Sequence, residues 1–176
     1  MTPIGLLMKE HRVIERMIQV MGNRMHAMRE AGELDVGFID TAIDFARTYA
    51  DQTHHGKEED ILFRALEDRS LSDEHRGMMN ELIEEHVYAR KVTGQLAEIR
   101  HNYLPSGDML GAAVFQLSKL IQFYPEHIRK EDKVFFPAAM DYLSEQEQKN
   151  MLDSFFEFDR EMIHRKYRAV VEALER

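Results

Sequence analysis

Apolar residues recur at steps of three and four along almost the whole chain, which is the period of a helix face and not of a strand. The first stripe is Ile4, Leu7, His11, Ile14, Ile18, Met21, Met25 and Met28, and Gly32 is placed to end it. The second starts near Val36 or Asp40 and runs to about Leu66 through Ile39, Ile43, Ala46, Ala50, His54, Glu58, Ile61 and Ala65. A polar loop follows at 67–72, with Ser72 as an N-cap. The third stripe is Met79, Leu82, His86, Ala89, Thr93 and Leu96, and the breaker cluster Leu104, Pro105, Ser106 and Gly107 stops it. The fourth carries Leu117, Leu120, Ile121, Tyr124, His127, Glu131, Val134, Phe135 and Ala138, ending near Tyr142.

Pro125 lies inside that fourth helix and predicts a kink or wide turn just ahead of His127. Pro137 marks a second disturbance. Ser144 and Glu147 form a capping box that opens a fifth helix, whose apolar face reads as Leu152, Phe156, Ile163, Tyr167, Val170 and Leu174. No strand-like alternation of useful length occurs. The expected fold is all-α: an up-down-up-down four-helix bundle over residues 1–143, with an additional C-terminal helix over 144–176 packed on it.

Six core-stripe positions are polar. They are His11, His54, Glu58, His86, His127 and Glu131, at least one from each of the four bundle helices. Two of the helices hold copies of one local pattern. Lys57-Glu58 lies over Lys130-Glu131, which matches His54 to His127, Glu59 to Asp132, Ile61 to Val134 and Phe63 to Phe136. Each copy sets a His four residues before a Glu, so both side chains share one face one turn apart. A lone His on an apolar stripe is ordinarily a hydrogen-bonded core residue. Four of them with two carboxylates need another explanation, because an unpaired buried carboxylate is costly. Metal ions supply it. The mixed N/O donor set suits Fe, Mn or Zn, and two facing carboxylates can bridge two ions about 3.5–4 Å apart. Each ion would then hold two His and two carboxylate oxygens. His55 and Glu59 offer an alternative pair, one residue out of register with the repeat. Glu59 and Asp132 read either as partners holding the ligand rings or as exposed charges.

Composition narrows the classes. The 176 residues suit one domain with a sizeable core. A net charge of −9 disfavours nucleic acid and anionic membranes as partners. Cysteine is absent, which excludes disulfides, thiolate chemistry and Fe–S ligation. No signal peptide or membrane span is visible, so a cytoplasmic location is the expectation. His26, His75, His101 and His164 read as surface or boundary residues.

The motifs together resemble the hemerythrin-like (HHE cation-binding) family over about residues 4–142. The resemblance is carried by Leu7-Met8-Lys9-Glu10-His11, by the run from His54 to Phe63, by Glu85-His86 and by His127 with Glu131. It implies two Fe ions, bridged by an oxo, hydroxo or water oxygen, and binding of O2 or a related ligand such as NO or peroxide. One position departs from the family's pattern. Hemerythrins proper carry a second His one turn after the third-helix His, and Arg90 stands there. A guanidinium is not a ligand, so the resemblance implies a site one imidazole short. Tyr124, on the face of His127, is a candidate ligand or pocket-lining group, and His55 is the other candidate. The expected function is a ligand-binding di-iron protein for sensing or storage. The alternatives are a peroxide- or NO-reducing enzyme and an iron-sensing or iron-supplying protein.

Overall fold

A computed structural model describes residues 1–102 and 109–174, without the side chains at 169, 170, 173 and 174. The breaker cluster at 104–107 and the side chains of Val170 and Leu174 therefore lie outside the described residues.

Five helical rods follow one another. α1 is Pro3–Ala31, capped by the Thr2 hydroxyl, which accepts from the Gly5 amide, and ended by Gly32 at φ 67°. That left-handed conformation suits a residue without a Cβ. α2 covers residues 36–67 and is capped by Asp35. α3 is Asp73–His101, capped by Ser72 as expected. α4 covers residues 110–140. α5 is Glu145–Leu174, opened by the expected box in which the Ser144 hydroxyl and amide both bond Glu147. No strand occurs among the described residues, and no helix there is long and apolar enough to cross a membrane.

Two apolar clusters fix the topology. One joins Leu7 of α1, Leu62 and Leu66 of α2, Met79 and Leu82 of α3, and Phe135 and Phe136 of α4. The other joins Met28, Phe38, Ile39, Leu96, Ala113 and Leu117. The start of α1 thus meets the end of α2, the start of α3 and the end of α4, which is the up-down-up-down order. The polar belt lies between the clusters, where both ends exclude water from it.

α2 is not a plain α-helix. It widens to i→i+5 spacing over Phe45–His55 and again over Glu58–Phe63. The sequence supplies the reason. Ala46, Ala50, His54, Glu58, Leu62 and Leu66 are all buried, at an unbroken step of four. At ~3.6 residues per turn that step drifts roughly 40° each time, which would carry the last residue round to solvent. Wider turns cancel the drift. They also correct the sequence reading, which put Ile61 and Ala65 on the core stripe where Leu62 and Leu66 belong.

α4 widens at Glu131–Phe135, after His127 and not ahead of it. The helix runs through Pro125 in α geometry over Leu110–Lys130. Pro137 is the better marker. It has no N–H to offer one turn back, and its ring crowds the carbonyl there, which a wide turn relieves. A second correction concerns α5. Phe156, Ile163 and Tyr167 are exposed, and the buried face is Met151, Phe155 and Met162. The choice is made by Gly56 of α2. A Cβ there would meet Phe158 Cζ at 2.7 Å, so the Phe158 ring lies directly on the backbone of α2 and turns its own side of α5 inward.

Candidate metal centre

All six polar stripe residues converge between the helices and are buried, with exposures of 0% for His11, Glu58, His86 and Glu131, 1% for His54 and 2% for His127. The carboxylates span the centre. Glu58 points Oε1 at His54 Nε2 (3.2 Å) and Oε2 at His86 Nε2 (3.3 Å). Glu131 points Oε2 at His11 Nε2 (3.2 Å) and His127 Nε2 (3.4 Å), with Oε1 at 3.7 Å from His86 Nε2. His11 Nε2 and His54 Nε2 are 2.8 Å apart.

The donors divide into two groups suited to hold a metal ion. One is His11, His54, Glu58 and Glu131; the other is His55, His86 and His127. His55, a candidate left open although the register of the repeat argued against it, falls in the second group. It is buried, its ring stacks on His86 at 3.8 Å, and neither ring nitrogen has a hydrogen-bond partner. Asp51 stands 3.5 Å from its Nδ1. His54 and His55 straddle the inward direction of α2. The first faces Glu10 and His11 of α1, and the second faces His86 of α3 and His127 of α4. In the repeat, the position matching His55 is Ile128. The two groups are therefore unequal, with two and three imidazoles, and not the two and two expected.

Four rings are aimed by carboxylates at Nδ1. Asp132 holds His11 (2.7 Å), Glu10 holds His54 (2.9 Å), Glu59 holds His86 (2.7 Å) and Glu85 holds His127 (2.7 Å). With Nδ1–H donating to a carboxylate, the Nε2 lone pair faces the centre. The carboxylates are in turn paired with cations: Arg12 with Asp132, Lys57 with Glu10, Arg90 with Glu59, and Lys130 with Glu85. Glu59 and Asp132 thus hold rings of the cluster and are not free exposed charges. Glu10, Glu85 and Lys57 carried no role in the sequence reading. The signal was the doubled Glu-His dyad, Glu10-His11 and Glu85-His86. Each Glu serves the His of a different helix, so the dyad alone does not disclose its target.

Tyr124 and Arg90 are in neither donor group. Tyr124 is buried with its ring 6.4 Å from that of His55, and burial raises its hydroxyl, keeping the proton on. It lines the cavity beside His55. Arg90 bonds Asp51 and Glu59 at 2.6 Å each, at the side of a cavity of about 270 Å³ that reaches His55 and Tyr124.

The donor set fits a cation. Among the described residues, the buried side-chain atoms without a hydrogen-bond partner include both oxygens of Glu58, both of Glu131, both nitrogens of His55, and Nε2 of His86 and of His127. Such atoms are rarely left unpaired in a folded protein. Charge agrees. Burial by itself pulls His11 and His86 down, yet the carboxylates beside them outweigh it and raise them to about 10 and about 9. His55 is held well below the ordinary value, first by burial and then by His86 and His127, so it stays neutral.

No curated protein and no solved structure compared with this chain matches it. The model of the hemerythrin HHE cation binding domain matches residues 2–139, well over half of the chain and all four bundle helices. With that match and a His/Glu cluster suited to metal, the chain belongs to the hemerythrin HHE cation-binding family.

Proposed function

We propose that this chain is a non-haem di-iron protein that binds O2 or a related small ligand, NO or peroxide, in sensing or storage. The observation that carries the reading is the set of buried, unpartnered oxygens and nitrogens of Glu58, Glu131, His55, His86 and His127. Two carboxylates that each span two imidazole groups suit a pair of ions, and imidazole with carboxylate suits iron. When bound, the iron pair supplies the electrons that a diatomic ligand takes up and returns.

The residues of the chain supply the rest. With Glu58 and Glu131 shared between two ions, the inequality of the groups leaves the His11/His54 side one imidazole poorer, and we assign the small ligand to that side. Phe136 stacks on His11 with centroids 5.6 Å apart, and Leu7 and Leu62 are wholly buried beside it. These apolar walls exclude water and with it the protons that destroy a reduced ligand. The Nδ1 carboxylates hold the rings in place whether or not the ligand is present.

Anaerobic purification, metal analysis and optical spectra before and after O2 test the proposal. The expected result is about two Fe per chain and an absorption change that reverses on deoxygenation. A chain that holds only zinc, or no metal, overturns it. Sustained turnover of H2O2 or NO beyond the iron present moves the assignment to an enzyme.

A further inference from the structure

The repeat gives the centre an approximate internal symmetry, with α1 and α2 corresponding to α3 and α4. Glu10 corresponds to Glu85, His54 to His127 and Lys57 to Lys130. On both sides a lysine bonds the carboxylate that aims a histidine. The surroundings of the two lysines differ. Lys130 also reaches Glu81 at 2.5 Å, and both are open to solvent, Glu81 by 58%. Lys57 is 0% exposed, and its second acid is Asp159 of α5 at 2.7 Å. Water and a surface acid do for Lys130 what α5 does for Lys57.

A wholly buried ammonium is not tolerated without acid partners. The path from α5 to the centre is continuous: Asp159 Oδ1 to Lys57 Nζ, Lys57 Nζ to Glu10, and Glu10 Oε2 to His54 Nδ1 at 2.9 Å. Phe158, the residue before Asp159, lies on Gly56, the residue before Lys57. One turn of α5 thus covers the stretch of α2 that holds His54, His55 and Glu58. Phe158 and Asp159 lie beyond residues 2–139, where the family model ends, while Glu10, His54, Gly56 and Lys57 lie within it.

We infer that Asp159 is a positioning residue of the metal centre: through Lys57 and Glu10 it holds His54, so that docking of α5 and retention of the ion at the His11/His54 group are coupled. The inference rests on the metal reading above. Coupling is reciprocal. Losing Asp159 loosens one ion, and removing the ions loosens α5.

The experiment uses the full chain, loaded anaerobically with iron(II) and mixed with a chromophoric chelator. Loss of a partner directly holding a ligand costs 10–100-fold in affinity, and Asp159 acts two contacts further out, so D159N is expected to release one of the two ions about tenfold faster. The second ion should leave at the parental rate. D159E, which keeps the carboxylate, should restore most of the retention, and E81Q on the solvent side should stay within about twofold of the parent. Equal acceleration of both ions, or none, overturns the inference, as does an equal effect of E81Q. Should D159N fail to fold, amide exchange of the unaltered chain decides: α5 exchange faster without iron supports the coupling, and exchange indifferent to iron refutes it. A parent that retains no ion refutes the metal reading and the coupling with it. A parent that retains two ions, with D159N unchanged, refutes the coupling alone.

Discussion

His55→Leu separates a ligand from a buried spectator by the sign of its effect. The imidazole is buried beside His86 and His127, with both nitrogens unpartnered. A neutral ring carries one N–H and one lone pair, and a buried group left unsatisfied costs about 1–3 kcal/mol. Leucine has a similar volume and strands neither. In chelator the variant should therefore be more stable than the parent by about 2–6 kcal/mol, from two such groups. At about 2–4 °C per kcal/mol for a chain of this size, Tm should rise by roughly 4–24 °C. With iron the sign reverses. The three-imidazole group drops to two, and one ion should bind at least 10–100-fold more weakly, the loss seen even for partners outside the ligand set. The assay is thermal unfolding in chelator and in excess iron(II), with iron counted after desalting. A variant that keeps both ions with the parental spectrum refutes the assignment of His55. A variant less stable than the parent in chelator refutes the claim that its nitrogens are stranded without metal.

Other outcomes follow from the same geometry. Stripping the metal leaves four carboxylate oxygens of Glu58 and Glu131 without partners; at about 1–3 kcal/mol each, part of it relieved by protonation, the chelated chain should melt at least roughly 10 °C below the iron-loaded one by calorimetry. Equal melting temperatures would count against a structural contribution from the ions. Gly56→Ala sets a methyl 2.7 Å from Phe158 Cζ, and overpacking of this kind costs about 1–3 kcal/mol in urea unfolding. Phe158→Leu should recover most of that loss; a double variant no better than Gly56→Ala would remove the contact as its cause. Glu147 accepts from the Ser144 hydroxyl and amide and from Arg69, which together hold it at about 2, down from an ordinary 4.5. A depressed carboxylate stabilises above its unfolded value, and the contribution is lost as pH falls. The first turn of α5 should therefore gain amide exchange, beyond the intrinsic trend, between about pH 4.5 and pH 2, and Glu147→Gln should abolish that dependence.

The periodicity of the chain was enough for the bundle and for six of its donors. Each of His11, His54, Glu58, His86, His127 and Glu131 stands on its own helix's apolar stripe, and a stripe is local information. The caps Ser72 and Ser144 with Glu147 were readable for the same reason, since cap and target lie three residues apart. The wide turns left a trace in the unbroken step of four from Ala46 to Leu66, although Pro125 drew attention to the wrong turn.

What only the tertiary structure decided concerns directions between helices. His54 and His55 diverge around their helix, and both point inward because α2 has partners on either side of that direction. A repeat that aligns His54 with His127 cannot show this, since its second copy has Ile128 at the corresponding place. Glu10 and Glu85 stand beside His11 and His86 in the chain and serve His54 and His127 across the bundle. α5 carries two apolar stripes, and the bare backbone at Gly56 selected the one that packs. A helix's own face follows from a period of three to four residues along one chain. Which neighbour that face meets depends on long-range packing, and packing alone brought His55, Lys57 and Asp159 to the centre.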